Sequence, residues 1–360
     1  MTPHHPHRCS IQCIVPPHML RVLAMRAEGE VQRMARTLLA EDAAVRARRS
    51  LLAVEPEAPP ETKAVSAVVA GAAPTGPDRR IHDGEGRAAL PGRLARGEGD
   101  GPTGDGECDA AYDGAGAVHA LFAAEYGRDS LDGRGLPLVA TVHHRRDYNN
   151  AFWNGTQMAY GDGDGRLFRT FTELSVIGHE MTHGVVQFSG GLVYEGQSGA
   201  LNESVSDVFG TLTKQRERGE EAHEADWLLG AGILGPDIRG TALRSMRAPG
   251  TAYADPLMGT DPQPFHMDLY VDTTDDNGGV HINSGIPNHA FYLYARELGG
   301  RAWERPGRIW YRALQEINNP MASFGDWAVA TMDAATALHG VGAWEAVMLR
   351  RAWRLVGIAL

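Results

Sequence analysis

Five consecutive residues, His179-Glu180-Met181-Thr182-His183, set two imidazoles four positions apart with a carboxylate beside the first. On a helix this spacing puts both rings on one face, one turn apart. Two such imidazoles can chelate one Zn2+, which takes tetrahedral nitrogen, oxygen or sulfur ligands and keeps a position open for catalysis. Glu180 is placed to take a proton from a water on that metal. The string alone is suggestive, since chance produces it roughly 0.04 times in a chain of this composition. Its context says more. At about 100° per residue, Leu174, Ile177, Met181, Val185 and Phe188 form one apolar stripe, while His179 and His183 project from the opposite side. Histidines that merely fill a core belong on the stripe. A third ligand can come from Asn202-Glu203-Ser204-Val205-Ser206-Asp207, the start of a second helix, where Glu203 and Asp207 again stand one turn apart. Glu203 can complete the ligand set and Asp207 can accept the N–H of a liganding histidine, fixing its tautomer. Without the histidines, the same pair would read as a solvated helix face.

The elements that must hold these residues change character along the chain. Residues 79–116 are glycine-dense with few large apolar side chains, which predicts exposed loops or short hairpins. A helical stretch follows at 116–126, then an extended run at 136–144, with Phe152-Trp153-Asn154-Gly155 and the 161–165 GDGDG run as strand and turn. Helical patterns then cover 172–189, 199–217, 285–298, 306–317, 325–338 and 342–356. The expected class is α+β, a β-rich first half and a helical second half joined near residue 180.

The whole chain has 360 residues and a net charge of −11, enough for two compact domains and an appendage. The acidic balance argues against nucleic acid as a partner. No apolar run approaches the roughly 20 residues of a membrane span. The cysteines, Cys9, Cys13 and Cys108, are odd in number, which excludes a disulfide-stapled secreted scaffold. No uninterrupted apolar signal region is recognisable at the N-terminus. The charge is uneven: residues 1–53 carry eight arginines and four acids, a net of +4, which leaves −15 on the remainder.

HEMTHGVV, GALNESVSDVFG, YNNAFWNG, LRSM and DNGGVHINSG, in that order, resemble the signature blocks of thermolysin-like neutral zinc metallopeptidases. The resemblance runs from about Leu90 to Leu360. It implies a two-lobed zinc endopeptidase, with a β-rich N-terminal lobe (79–189), a helical C-terminal lobe (190–360) and the active-site helix between them. It assigns His179, His183 and Glu203 as ligands of one Zn2+ and Glu180 as general base. Tyr194 and His281 match the positions that stabilise the oxyanion of peptide hydrolysis. Asp276 matches the acid that orients and charges His281. Arg244 resembles the residue that holds a substrate carbonyl, and Asn150 and Ala151 match the edge that aligns a substrate backbone by strand-like pairing. Phe168, Phe171, Val176 and Leu243 fall near the family's hydrophobic pocket, implying cleavage on the N-terminal side of bulky apolar residues. Val176 supports this independently, because it projects to the histidine side of its helix.

The chain departs from the family pattern at its calcium positions. Ser175, Lys214 and Thr241 stand where acids are expected, so Ca2+ remains conceivable but the paired site looks lost, with the Lys214 ammonium as a fixed charge in its place. Asp162 and Asp164 read as a tight turn, because the twelve-residue calcium loop is missing. Gly196-Gln197-Ser198-Gly199-Ala200 only imitates a serine elbow. A zinc aminopeptidase would carry an exopeptidase anchor, absent here, and a metzincin needs a histidine where Ser189 stands.

Residues 1–53 resemble the short propeptide of the protealysin-type branch, whose Pro-Pro-x-Leu-like element reads Ile14-Val15-Pro16-Pro17-His18-Met19-Leu20 here. The two prolines stiffen the stretch and remove donors, making a poor substrate but a reasonable cleft plug. The reading is a zymogen: an inhibitory, fold-assisting propeptide (1–53) and a linker with the processing site (54–78), the mature terminus falling between Ser50 and Arg80. Cys9 or Cys13 is placed to block the zinc as a thiolate; the alternative reading of either is a bystander thiol. The expected partners are protein or peptide substrates and the chain's own propeptide, with no nucleic acid, no membrane span and a monomeric state. Family resemblance implies secretion; the alternative is a cytoplasmic protein until release.

Overall fold

The computed structural model describes residues 12–52 and 76–360. Cys9 and most of the expected linker lie outside them. The N-terminal segment forms a two-residue strand, β1 (Gln12–Cys13), and two helices, α1 (Pro17–Arg26) and α2 (Gly29–Leu52). Pro17 opens α1 at a position where its missing N–H has no intrahelical partner to lose.

The next lobe contains β2 (Arg79–Asp83), β3 (Arg93–Arg96), α3 (Gly106–Tyr126), β4 (Leu138–Val142), β5 (Ala151–Trp153) and β6 (Met158–Tyr160). Together with β1 they make a six-stranded mixed sheet ordered β1-β5-β6-β4-β2-β3. β2, β4 and β6 run parallel, and the outer pairs are antiparallel. The Asn154-Gly155 turn closes the β5–β6 hairpin, with Asn154 Oδ1 accepting from the Thr156 and Gln157 amides.

The sequence places the start of a helix at 116, but α3 begins ten residues earlier, at Gly106. The Asp105 carboxylate caps it by accepting from the Glu107 and Cys108 amides. Its glycines serve packing: a Cβ on Gly114 would stand 2.6 Å from Ile177 Cδ1 of the active-site helix.

α4 (Leu174–Gln187) and α5 (Gly196–Arg218) form the centre of the molecule. Gly178 and Gly210 let them touch backbone to backbone. A Cβ on Gly210 would lie 2.5 Å from Ser175 O and 2.9 Å from His179 N. Every residue from 175 to 186 is buried, so the histidine face of α4 is as enclosed as its apolar stripe. Two short strands, β7 (Leu228–Leu229) and β8 (Arg244–Ser245), pair beside α5. Then come α6 (Asp276–Asn283), α7 (Gly285–Leu298), α8 (Arg305–Glu316), α9 (Phe324–His339) and α10 (Trp344–Leu355). Trp310, Trp327 and Trp353 are wholly buried among these helices, the rings of Trp310 and Trp353 stacked at 5.9 Å. The architecture is α+β. No helix among the described residues is long and apolar enough to cross a membrane.

Candidate metal centre and peptide cleft

The glycine contact between α4 and α5 brings their functional faces together. His179 and His183 from α4 and Glu203 from α5 offer ligand atoms that all lie within 4.8 Å of one another, each residue fully buried. His179 Nδ1 lies 2.8 Å from Asp207 Oδ1, and His183 Nδ1 lies 2.8 Å from Asn202 Oδ1. Both partners are acceptors, so each ring carries its proton on Nδ1. The two Nε2 lone pairs then face each other across 2.9 Å, with Glu203 carboxylate oxygens at 3.5 and 3.6 Å. Such an arrangement of lone pairs and negative charge repels itself unless a cation sits among them, and its chemistry fits Zn2+. Burial and then the neighbouring His179 hold the His183 imidazole neutral, the form a metal requires.

Glu180 points no carboxylate oxygen at a hydrogen-bond partner among the described residues. Burial, then the charge of Glu203, push its carboxyl well above the usual range. Opposite it, Tyr194 donates its hydroxyl to Glu203, and that hydroxyl lies 3.2 Å from His281 Nε2. His281 is held by a tight left-handed turn. Asp276, Asn277, Gly278 and Gly279 all have positive φ, between 52° and 84°, which suits Asp, Asn and Gly and few other residues. The turn folds Asp276 back, so that its carboxylate accepts from His281 Nδ1 at 2.7 Å and from the His281 amide at 3.0 Å. Burial opposes a charge on His281, but Asp276 and then Glu203 outweigh it and raise the imidazolium to about 9.

Asp207 also binds Arg244, through Nε at 2.9 Å and Nη2 at 2.8 Å, and accepts from Asn288 Nδ2 at 2.8 Å. Despite its burial, Arg244 and His179 keep its carboxyl well below the usual range. Asn202, Ser206 (3.0 Å from His183 Nδ1) and Asn288 complete the support around the ligands. None of the three is marked in the sequence, since small polar residues inside a helix carry no chemical signature. Phe168 and Phe171 stack obliquely, centroids 5.7 Å apart, and with Val176 and Leu243 they are buried to 1% exposure or less. Asp164 positions Phe168: it accepts from the amides of Arg166, Leu167 and Phe168, as a tight turn requires.

The N-terminal segment runs through this cleft. β1 pairs antiparallel with β5, Cys13 opposite Phe152. The Ile14 amide donates to Ala151 O at 3.1 Å and the Val15 amide to Asn150 Oδ1 at 3.0 Å. Arg244 Nη1 donates to Ile14 O at 3.2 Å, and His281 Nε2 donates to Cys13 O at 2.9 Å. Cys13 thus meets His281 through its carbonyl oxygen, and it is not a member of the ligand cluster.

At the calcium positions, Lys214 Nζ is buried and donates to Asp226 Oδ1 at 2.8 Å and to Leu228 O at 2.5 Å. Ser175 Oγ accepts from the Gly230 amide.

Residues 98–187 match the profile described as the thermolysin metallopeptidase catalytic domain, and residues 190–358 the profile of its alpha-helical domain. The chain belongs to the thermolysin metallopeptidase family. It is a zinc-dependent endopeptidase made with a propeptide. It is 45% identical over 349 residues to an extracellular metalloprotease of Pectobacterium carotovorum, covering 96% of each chain. It is 39% identical over 293 residues to a thermolysin of Bacillus caldolyticus, covering 77% of this chain and 50% of the other. The precursor of protealysin, a metalloproteinase from Serratia proteamaculans, superposes with a TM-score of 0.84 at 41% identity, over 97% of this chain and all of the other.

Proposed function

We propose that His179, His183 and Glu203 hold the zinc and that Glu180, Tyr194, His281 and Asp276 carry the hydrolysis. The single observation behind this reading is the convergence of two Nε2 lone pairs and a buried carboxylate on one point, with Glu180 unpaired beside it. When bound, zinc supplies a Lewis acid that activates water and polarises the carbonyl. Glu180 takes a proton and passes it to the leaving nitrogen. Tyr194 and His281 donate to the carbonyl oxygen as charge gathers on it, with Asp276 holding the imidazole in place. Asn150, Ala151 and Arg244 clamp the peptide backbone. Phe168, Phe171, Val176 and Leu243 form the apolar pocket that favours cleavage before bulky hydrophobic residues.

Residues 1–53 act as an inhibitory propeptide removed within 54–78, leaving lobes 79–189 and 190–360 as the mature enzyme. The Lys214–Asp226 pair replaces the paired calcium site with a fixed charge. The names of the relatives support export, and the mature enzyme works as a monomer. Atomic absorption on purified protein should give one zinc per chain. His183→Ala should lose the zinc together with casein hydrolysis. Undiminished hydrolysis by the metal-free variant would overturn the reading.

A further inference from the structure

We propose that the Cys13–Ile14 peptide bond is itself a processing site, cut within the same molecule while the N-terminal segment still fills the cleft. The proposal rests on the residue roles given above and extends them to the chain's own propeptide. Its first support is register. Of the carbonyls that pass through the cleft, Cys13 O is the one that accepts from His281, a donor aimed at the developing oxyanion. The next carbonyl, Ile14 O, accepts from Arg244, and the intervening amide is tied to Ala151 O. The segment therefore lies with the polarity and contacts of a substrate, with the bond between residues 13 and 14 at the reacting position.

Side-chain chemistry agrees. Ile14 is fully buried and supplies the bulky apolar group on the C-terminal side of the bond. Pro16 and Pro17 lack the amide N–H that Ile14 and Val15 use for alignment, so the bonds that follow, Ile14–Val15 and Val15–Pro16, cannot seat in the same way. In the step itself, water adds across the amide and its oxygen becomes part of a Cys13 carboxylate. The C–N bond breaks, the proton taken by Glu180 passes to the Ile14 nitrogen, and the second proton of the water follows it, so that Ile14 leaves as an ammonium group. Water is the only co-reactant.

Cutting this bond does not open the cleft. The product beginning at Ile14 keeps the Ala151, Asn150 and Arg244 bonds. It is anchored further by buried Val15, Met19, Leu20 and Leu23, by His18 on the Tyr253 hydroxyl at 3.0 Å and by Arg26 on Pro256 O at 3.0 Å. The N-terminal product is held by a much shorter stretch, its two-residue pairing with β5 and the His281 contact to Cys13 O. The enzyme would thus keep its own product as inhibitor until the linker is severed and α1 departs.

The test is a time course of intact mass on the full-length, zinc-loaded protein. A fragment ending at Cys13 and a chain beginning at Ile14 should appear at a rate that does not change on hundredfold dilution. Glu180→Gln should abolish the cut. Ile14→Gly should slow it by on the order of tenfold or more while leaving casein hydrolysis by the linker-processed enzyme at the wild-type level. Hydrogen exchange on metal-free protein reads the register separately: the Ile14 and Val15 amides should be protected. Casein hydrolysis that matures with the Cys13–Ile14 bond intact throughout, or amides exchanging at unfolded rates, would overturn the proposal alone. Failure of every processed form to cut casein would overturn the underlying reading as well.

Discussion

Asp207 serves three partners at once, and under the proposed roles of His179 and Arg244 this one side chain would couple metal binding to substrate binding. It accepts the His179 proton, forks onto the Arg244 guanidinium and takes the Asn288 amide. Asp207→Asn would keep the volume but lose the charge that fixes the His179 tautomer and balances buried Arg244. Zinc affinity should fall about 10–100-fold, measured by competition with a chromophoric chelator, and KM for a peptide should rise with it. Unchanged zinc affinity would show that Asp207 does not set the ligand. At this scale much was legible. The H-E-x-x-H spacing, Glu203 and Asp207 each have a chemistry that sequence reveals. Asn202 and Asn288 were not legible, because an amide becomes meaningful only once folding has placed an imidazole or a carboxylate against it.

Helix packing decides whether the ligands meet at all. Gly178 and Gly210 remove the side chains that would hold α4 and α5 apart, and the close approach sets His179 against the Glu203–Asp207 face. Gly210→Ala gains helix propensity but drives a methyl group into Ser175 O and His179 N. Overpacking of this kind costs about 1–3 kcal/mol. The thermal midpoint should drop by several degrees, with weaker zinc retention; a stabilised variant with full zinc would contradict the packing account. Glycine also explains where sequence reading stopped short. The stretch before residue 116 looked like loop by composition, yet α3 runs through it from Gly106, because Asp105 caps the end and Gly114 seats the helix against Ile177. Backbone need, seen only in three dimensions, outweighed the usual meaning of glycine.

For the whole molecule, the charge of −11 divides into +4 on residues 1–53 and −15 on the rest, and the two parts attract. Arg21 pairs with Asp275, and Arg26 reaches Pro256 O. His18 introduces a pH dependence. Its ring meets the Tyr253 hydroxyl within the field of Asp276, His281, Arg244 and Arg21, and burial, only partly offset by Asp276, lowers its pKa from 6.5 to about 4. A base with a lowered pKa in the docked state favours undocking when protonated. Docking is therefore intact above about pH 6.5 and weakens, up to tenfold per unit, as the pH falls toward 4. Exchange protection of the Val15 and Leu20 amides should drop between pH 7 and pH 5 in the wild type and hold in His18→Leu. An equal drop in both would assign the effect to other groups. That an N-terminal plug exists could be read from its two prolines and arginines. That it adds a strand to β5 could not, because pairing of so short a segment is set by the cleft that receives it.

The most direct measurement of the central claim compares wild type with Glu180→Ala, each with its propeptide removed by a trace of wild-type enzyme, for bound zinc and for casein hydrolysis. One zinc per chain in both, with hydrolysis lost by several orders of magnitude in the variant, is the expected result. Equal hydrolysis by the two proteins would contradict it.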